Sequence, residues 1–305
     1  MGHNGRVSPP SEARLGGAFL LLTVIWGTTW AAIRIGLQGL PPFTGVALRF
    51  LVAGALLLAL VPVFGVRFTW SRREIGLWIA NGALAFSASY TIVYWAEQYI
   101  PSGLAAVLFA TYPLFVAGLA HLALPGERLS AGAAVGVLLG FLGVALIFSD
   151  DLRSLGGGSV RAVALVFLFS PVVSALATVA VKRWGAGIHP LSLTAVPMLL
   201  TGIVVGGLAL SFESRAALVF DLRSLGALLY LALLGSAVTF TVYYWMLAHA
   251  PATRVALIAY TIPIVAVAVG ALAFGEPLRP RFLAGAVLVL AGVAIVNRSR
   301  VAGRT

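Results

Sequence analysis

Apolar residues fill this chain in long blocks, and short polar joints punctuate it. The blocks run at approximately 15–36, 43–65, 74–98, 102–124, 130–149, 160–182, 190–211, 223–248, 252–274 and 280–297. Helices of about 20 apolar residues cross a hydrocarbon core of roughly 30 Å. The alternating pattern of a transmembrane barrel strand is missing. The pattern therefore predicts an all-α integral membrane protein with ten transmembrane helices. The longest polar joint, SDDLRSLGGGSVR at 149–161, divides the chain into units 1–150 and 151–305. The polar N-terminal stretch has no small-residue cleavage site at the right distance, so the first block reads as a retained span rather than a signal peptide.

The two units repeat one another. YWAEQYIPSGLAAVLFATYP at 94–113 returns as YWMLAHAPATRVALIAYTIP at 244–263, with Tyr94, Trp95, Pro101, Thr111 and Pro113 each matched 150 residues on. Gly136, Gly140, Gly143, Val144 and Ala145 face Gly285, Val289, Gly292, Val293 and Ala294 at an offset of 149, as do Gly126-Glu127 and Gly275-Glu276. Arg34 and Pro42 match Lys182 and Pro190 at 148. An odd number of crossings per unit puts the second unit into the membrane upside down. The expectation is two inverted five-helix repeats, an architecture of secondary transporters that expose one site to each side in turn.

Composition agrees with the blocks. Hydrophobic residues make up 61% and charged residues 10%, with mean hydropathy +1.04, against about 25% charged residues in soluble domains. The net charge of +11 is no nucleic-acid signal, because the cations sit in joints and termini, where they set orientation and meet lipid headgroups. Twelve Lys and Arg residues fall at the termini and in the even-numbered joints and seven in the odd-numbered joints. That bias predicts a multi-pass protein of the cytoplasmic (inner) membrane with both termini in the cytoplasm. The chain has no cysteine, which removes thiol and Cys-ligated metal chemistry. No H-E-x-x-H or G-x-S-x-G motif occurs, and the adjacent acids Asp150-Asp151 lie in the central joint. Enzyme readings therefore find no support, and neither a metal nor a cofactor is expected.

Several motifs point to one family. The first unit carries WGTTWAAIR from Trp26 to Arg34, Leu48-Arg49-Phe50, the Pro113 helix, GERL at 126–129 and a glycine-spaced fifth block. The second carries the Tyr244-to-Pro263 stretch, GEPL at 275–278 and Gly292-Val293-Ala294. With these the chain resembles, over roughly 15–297, the ten-helix EamA-type branch of the drug/metabolite transporter superfamily. The resemblance implies a central cavity lined chiefly by helices one, three, four, six, eight and nine. It also implies alternating-access transport of amino acids, other small metabolites or drugs, mostly as export.

Candidate site residues follow from helical spacing. Block three aligns Ser87, Tyr90, Tyr94 and Glu97 or Gln98, block one Trp26, Thr29, Trp30 and Ile33, and block eight Phe240 and Tyr244. Blocks four and nine add Tyr112 and Tyr260. The substrate-binding candidates are Trp26, Trp30, Ser87, Tyr90, Tyr94, Tyr112, Tyr244 and Tyr260. Such rings enclose an apolar body, and their hydroxyls hold a polar head. Pro113 and Pro263, with Ser170-Pro171, are candidate hinges. Glu97 and Arg34 are the candidate charge or proton sites. Arg34, Arg49 and Arg254 read as snorkelling headgroup anchors, with carboxylate binding or gating as their other reading. Trp70, Trp78, Tyr99 and Trp184 read as interface-belt aromatics, and Glu127 and Glu276 as braces of the helices that follow them. The expected partners are a small-molecule substrate and membrane lipids, with the chain a monomer or homodimer. An amino-acid exporter is the leading expectation. An organic-cation or multidrug exporter would want an acid in the cavity, and a nucleotide-sugar or phosphate-ester carrier several cations.

Overall fold

The computed structural model describes residues 10–152, 157–214, 218–274 and 280–299, and among them every regular element is a helix. Eight helices are long and apolar enough to cross a membrane: α1 (Glu12–Gly36), α2 (Pro42–Leu60), α3 (Arg72–Ala96), α4 (Ser102–Ala123), α6 (Gly158–Trp184), α7 (Pro190–Phe212), α8 (Leu222–His249) and α10 (Pro280–Arg298). Two apolar helices are shorter: α5 (Ala131–Ile147) and α9, which runs Ala252–Ala256 and then Ile258–Phe274. Each of the ten sequence blocks thus holds a helix, although length and composition qualify only eight as spans. The outer surface is apolar, as on α7, where Ile203, Val204, Leu208 and Leu210 are exposed. A water-facing surface would not carry so large an apolar face, so the chain is a multi-pass membrane protein.

Local chemistry starts the helices where the joints predict. Ser11, Ser71 and Ser130 accept from backbone N–H groups in the first turns of α1, α3 and α5, and Asp221 does so for α8. Proline opens α2 and α7, where its missing N–H costs nothing. Two helix starts are capped across the halves instead. Glu213, just past α7, accepts from Phe43 and Thr44 N at 2.7 and 2.8 Å. Glu127 accepts from Ala252 N at 2.9 Å. Glu127 therefore braces α9, because its carboxylate finds the positive N-terminal end of a helix from the other unit. Glu276 and four residues of the central joint lie outside the described residues.

The helix contacts are themselves paired. α1 packs on α9 and α8, as α6 packs on α4 and α3, while α2 meets α7 and α5 meets α10. Close approaches repeat in exchanged form. A Cβ at Gly136 would lie 2.7 Å from Gly292 O, and one at Gly143 2.6 Å from Gly285 O. Likewise Gly54 abuts the Leu199 backbone and Gly202 abuts Leu51. In each pair the sequence rises along one helix and falls along its mate, so equivalent helices cross antiparallel. That exchange is the signature of a two-fold relation. Both α3 and α8 also contain a π-helical stretch, Gly82–Ala88 and Leu233–Val238, at equivalent places in the repeat. Such insertions open the backbone ladder and recur at functional sites.

Candidate functional site

Between the halves lies a cavity of about 110 Å³ lined by α1, α2, α3, α4, α6, α8 and α9. That is several times the room, roughly 10–15 Å³, that one water needs. Its walls mix aromatic rings with aliphatic side chains. Trp26 meets Phe240 and Tyr243 with ring centroids 5.4 and 5.7 Å apart, and Phe109 stacks on Tyr112 at 5.7 Å. Edge-to-face and offset pairs of this kind hold the rings in fixed orientations. The polar groups are mostly hydroxyls. Tyr112, Thr178 and Tyr243 form a triangle with O···O distances of 2.5, 2.8 and 3.1 Å, tying α4, α6 and α8. Ser89 bonds Ser170 and Ser174 at 2.8 Å, tying α3 to α6. The Trp26 indole N–H is buried and has no partner among the described residues.

Among the described residues one charged side chain lines this space, and it is Arg49 of α2. At 1% exposure it does not snorkel to an interface, which corrects the sequence expectation. Its Nε donates to Ser236 Oγ (2.7 Å), its Nη2 to Gly235 O (2.9 Å) and its Nη1 to Tyr94 Oη (3.2 Å). The guanidinium also sits 4.7 Å from the centre of the Tyr90 ring, a cation–π distance. Gly235 belongs to the π-helical stretch of α8, where a carbonyl is freed to accept. Among the described residues no Asp or Glu is part of the lining.

Of the candidates read from the sequence, Trp26, Trp30, Tyr90, Tyr112 and Tyr244 come together around the cavity. Tyr94 lies behind the wall, buried on Arg49. Ser87 points away to Thr201 of α7 at 3.1 Å. Tyr260 also turns outward: its ring fills the notch left by Gly140 on α5, and its hydroxyl donates to Val137 O at 2.9 Å. Helical period alone cannot say which neighbour claims a ring next to a notch. Trp78 is buried against α7, donating to Ser192 Oγ at 2.9 Å, so it is no belt residue, whereas Trp70, Tyr99 and Trp184 are exposed. Thr178 and Tyr243 complete the hydroxyl triangle and were not among the sequence candidates.

The prolines sit beside helix breaks. α4 is interrupted at Ala110–Thr111, just before Pro113, and α6 at Leu168, just before Ser170-Pro171. α9 is interrupted at Leu257, and Pro263 follows inside the longer segment. Thr111 and Thr261, two residues before Pro113 and Pro263, each donate to the carbonyl three residues back, at 2.7 and 2.9 Å. These hydroxyls bond carbonyls at the breaks, one residue before the Phe109 and Ala259 carbonyls that lose their donor to Pro113 and Pro263.

The two ends of the site are fastened differently. Lys182 of α6 donates to the carbonyls of Leu247 (2.7 Å) and Ala250 (2.9 Å) and lies 3.8 Å from Glu127. Its repeat mate Arg34 is exposed and reaches Ser102 Oγ at 3.4 Å. Glu97 opens the connection after α3, with its side chain buried and neither carboxylate oxygen hydrogen-bonded. Burial pushes the Glu97 carboxyl up to about 8, against the pull of the Arg34 guanidinium. The folded value lies above the ordinary 4.5, so between the two the folded state holds the extra proton. Stability then falls as pH rises through that window. The expected result is a thermal midpoint that declines between about pH 4.5 and 8 and a flatter profile for Glu97→Gln. Parallel profiles for the two proteins would remove Glu97 as the titrating group.

Known proteins agree with this architecture. The chain matches the model of the EamA-like transporter family twice, over residues 15–149 and 161–298. It is 30% identical over 282 residues to a protein of Archaeoglobus fulgidus named an uncharacterized transporter, covering 92% of this chain and 98% of that one. It is 30% identical over 286 residues to the uncharacterized inner membrane transporter YedA of Escherichia coli, covering 92% and 89%. A solved crystal structure superposes on 97% of the chain and 100% of its own length with TM-score 0.81 at 18% identity, a likeness of fold. Two family matches that fall on the two halves, and a cavity walled by both, make the chain a member of the EamA-like transporter family.

Proposed function

We propose that this transporter moves small metabolites by alternating access, and that amino acids with aromatic or apolar side chains are its substrates, carried outward. Ten crossings form two inverted five-helix units, 1–150 and 151–305, with substrate held between them at Trp26, Trp30, Tyr90, Tyr112 and Tyr244. Both termini face the cytoplasm of a cell whose inner membrane holds the chain, in keeping with the bias of Lys and Arg toward the even joints. The observation that carries the reading is the composition of the cavity wall. It draws on both halves, combines aromatic with aliphatic side chains, offers a cluster of hydroxyls, and, among the described residues, includes no carboxylate. A site for organic cations would want such a carboxylate, and a site for phosphate esters would want more than one cation.

The test is counterflow in proteoliposomes of purified protein, with labelled amino acids, sugars and organic cations, with and without a pH gradient. Exchange of aromatic and branched amino acids is expected. Movement of cations alone would replace the amino-acid reading by drug export, and silence across the panel would remove the substrate assignment.

A further inference from the structure

We propose that Arg49 holds the carboxylate of the substrate, so that the cavity takes small monocarboxylates with an apolar or aromatic body. The assignment rests on the reading of the cavity as the substrate site and deepens it.

The first argument is the cost of the charge. A guanidinium at 1% exposure has left water, and no carboxylate pairs with it among the described residues. Buried charges persist when they are paired or coordinated. Arg49 has three hydrogen bonds and the Tyr90 hydroxyl as a further partner, which leaves one of its five N–H donors for a ligand. The ring of Tyr90 beneath it offsets part of the penalty and leaves the charge uncancelled. An incoming carboxylate cancels it and takes the remaining donor in a charge-assisted hydrogen bond.

The second argument is that bracing the helix does not need a cation. α3 has the same π-helical opening as α8. There Thr201 of α7 donates to the carbonyl of Gly82 at 3.0 Å, and a neutral hydroxyl suffices. On α8 the corresponding opening receives Arg49. The charge is therefore surplus to the backbone repair, and the side that lines the cavity is where it has something to do.

The third argument is count. With one cation and no acid in the lining, a single negative charge leaves the site neutral, while a phosphate dianion overshoots it. The unpaired indole N–H of Trp26 adds a second donor in the same wall. Ring faces and the hydroxyls of Tyr112, Thr178 and Tyr243 remain for the rest of the substrate, including an amino group.

The test uses the unaltered protein first. Binding of phenylalanine, leucine, 3-phenylpropionate and phenyl phosphate is measured by calorimetry in detergent, and each carboxylate that binds is compared with its amide. Loss of at least tenfold in affinity on amidation is expected, together with loss of the acid–amide discrimination in Arg49→Gln and its partial retention in Arg49→Lys. Equal binding of acid and amide, tighter binding of phenyl phosphate, or no carboxylate binding at all would each overturn the assignment. The acid–amide comparison needs no variant, so a misfolded Arg49→Gln leaves the proposal open to refutation. Acid-selective binding without counterflow sinks transport and leaves the Arg49 site standing. Counterflow that ignores the acid group sinks Arg49 alone.

Discussion

Gly143→Leu is expected to yield no folded protein, and Gly143→Ala a protein whose thermal midpoint is clearly lowered. α5 and α10 approach so closely that the Cβ of an alanine at 143 would sit 2.6 Å from Gly285 O and 2.8 Å from Val289 N. Those are backbone atoms, which cannot swing aside as a side-chain tip can, so the helices must separate. Overpacking of this kind costs about 1–3 kcal/mol for one methyl group, and a leucine asks for several times the volume. Small residues are what allow membrane helices to pack this tightly. The exchanged geometry makes a sharper test. Gly136 and Gly292 share one crossing point, and Gly143 and Gly285 share the other. Seven residues of helix, roughly 10 Å, separate them. Gly136→Ala with Gly285→Ala touches both points and should add. Gly136→Ala with Gly292→Ala strains one point twice and should fall short of additivity, because the first separation relieves the second. Fluorescence-detected size exclusion of heated samples reads all of these. Identical behaviour of the two double variants would show that α5 and α10 do not cross as described.

The sequence was most informative where its signals are local. Block length gave the helices, and the offset of 150 between Tyr94 and Tyr244 or Pro113 and Pro263 gave the pairing, because proline, glycine and tryptophan punctuate a mostly Leu/Ala/Val background. The aromatic faces of α1, α4 and α8 were legible by period. Ser87 was not, for a physical reason: the π-helical stretch at Gly82–Ala88 uses more residues per turn, so a straight 3.6-residue wheel misassigns the face by about one residue. Arg49 was misjudged because depth along α2 cannot distinguish a side chain that reaches for headgroups from one that turns inward to a neighbouring helix. Its inward partners, Tyr94, Gly235 and Ser236, come from two other helices, 45 and almost 190 positions along the chain. Tyr260 was misjudged for the same reason, its partner notch at Gly140 being 120 residues upstream.

Lys182→Gln is expected to loosen the end of the site where Lys182 is bonded, while Arg34→Gln at the opposite end changes little. The two residues are repeat mates, so an ideal symmetric molecule would use them alike. Here Lys182 makes two bonds to the carbonyls at the end of α8 and lies beside Glu127, which in turn caps α9. Removing the ammonium takes away both bonds to the end of α8 and the charge beside Glu127 at once. Hydrogen bonds from a charged donor contribute about 1.5–3 kcal/mol each. Lys182 is 21% exposed, so water recovers part of that, and a net loss of about 2 kcal/mol is a fair expectation. That shifts a two-state balance roughly thirtyfold. Arg34 is exposed, reaches Ser102 by one long bond and pulls on the Glu97 carboxyl; it is the surface case, where a charge pair contributes about 0–1 kcal/mol. The absence of native cysteine makes the measurement direct, since one introduced thiol reports without background. Maleimide labelling of Ala250→Cys, buried in this structure, should accelerate at least tenfold when Lys182→Gln is added. Labelling of Ser102→Cys, at the other end, should slow in the same background if opening one end closes the other. Equal labelling changes from Lys182→Gln and Arg34→Gln would mean that the difference in fastening has no bearing on which end is shut. Acceleration at Ala250 with no change at Ser102 would mean that Lys182 seals its own end without coupling to the far one, and alternating access would then need another link between the halves.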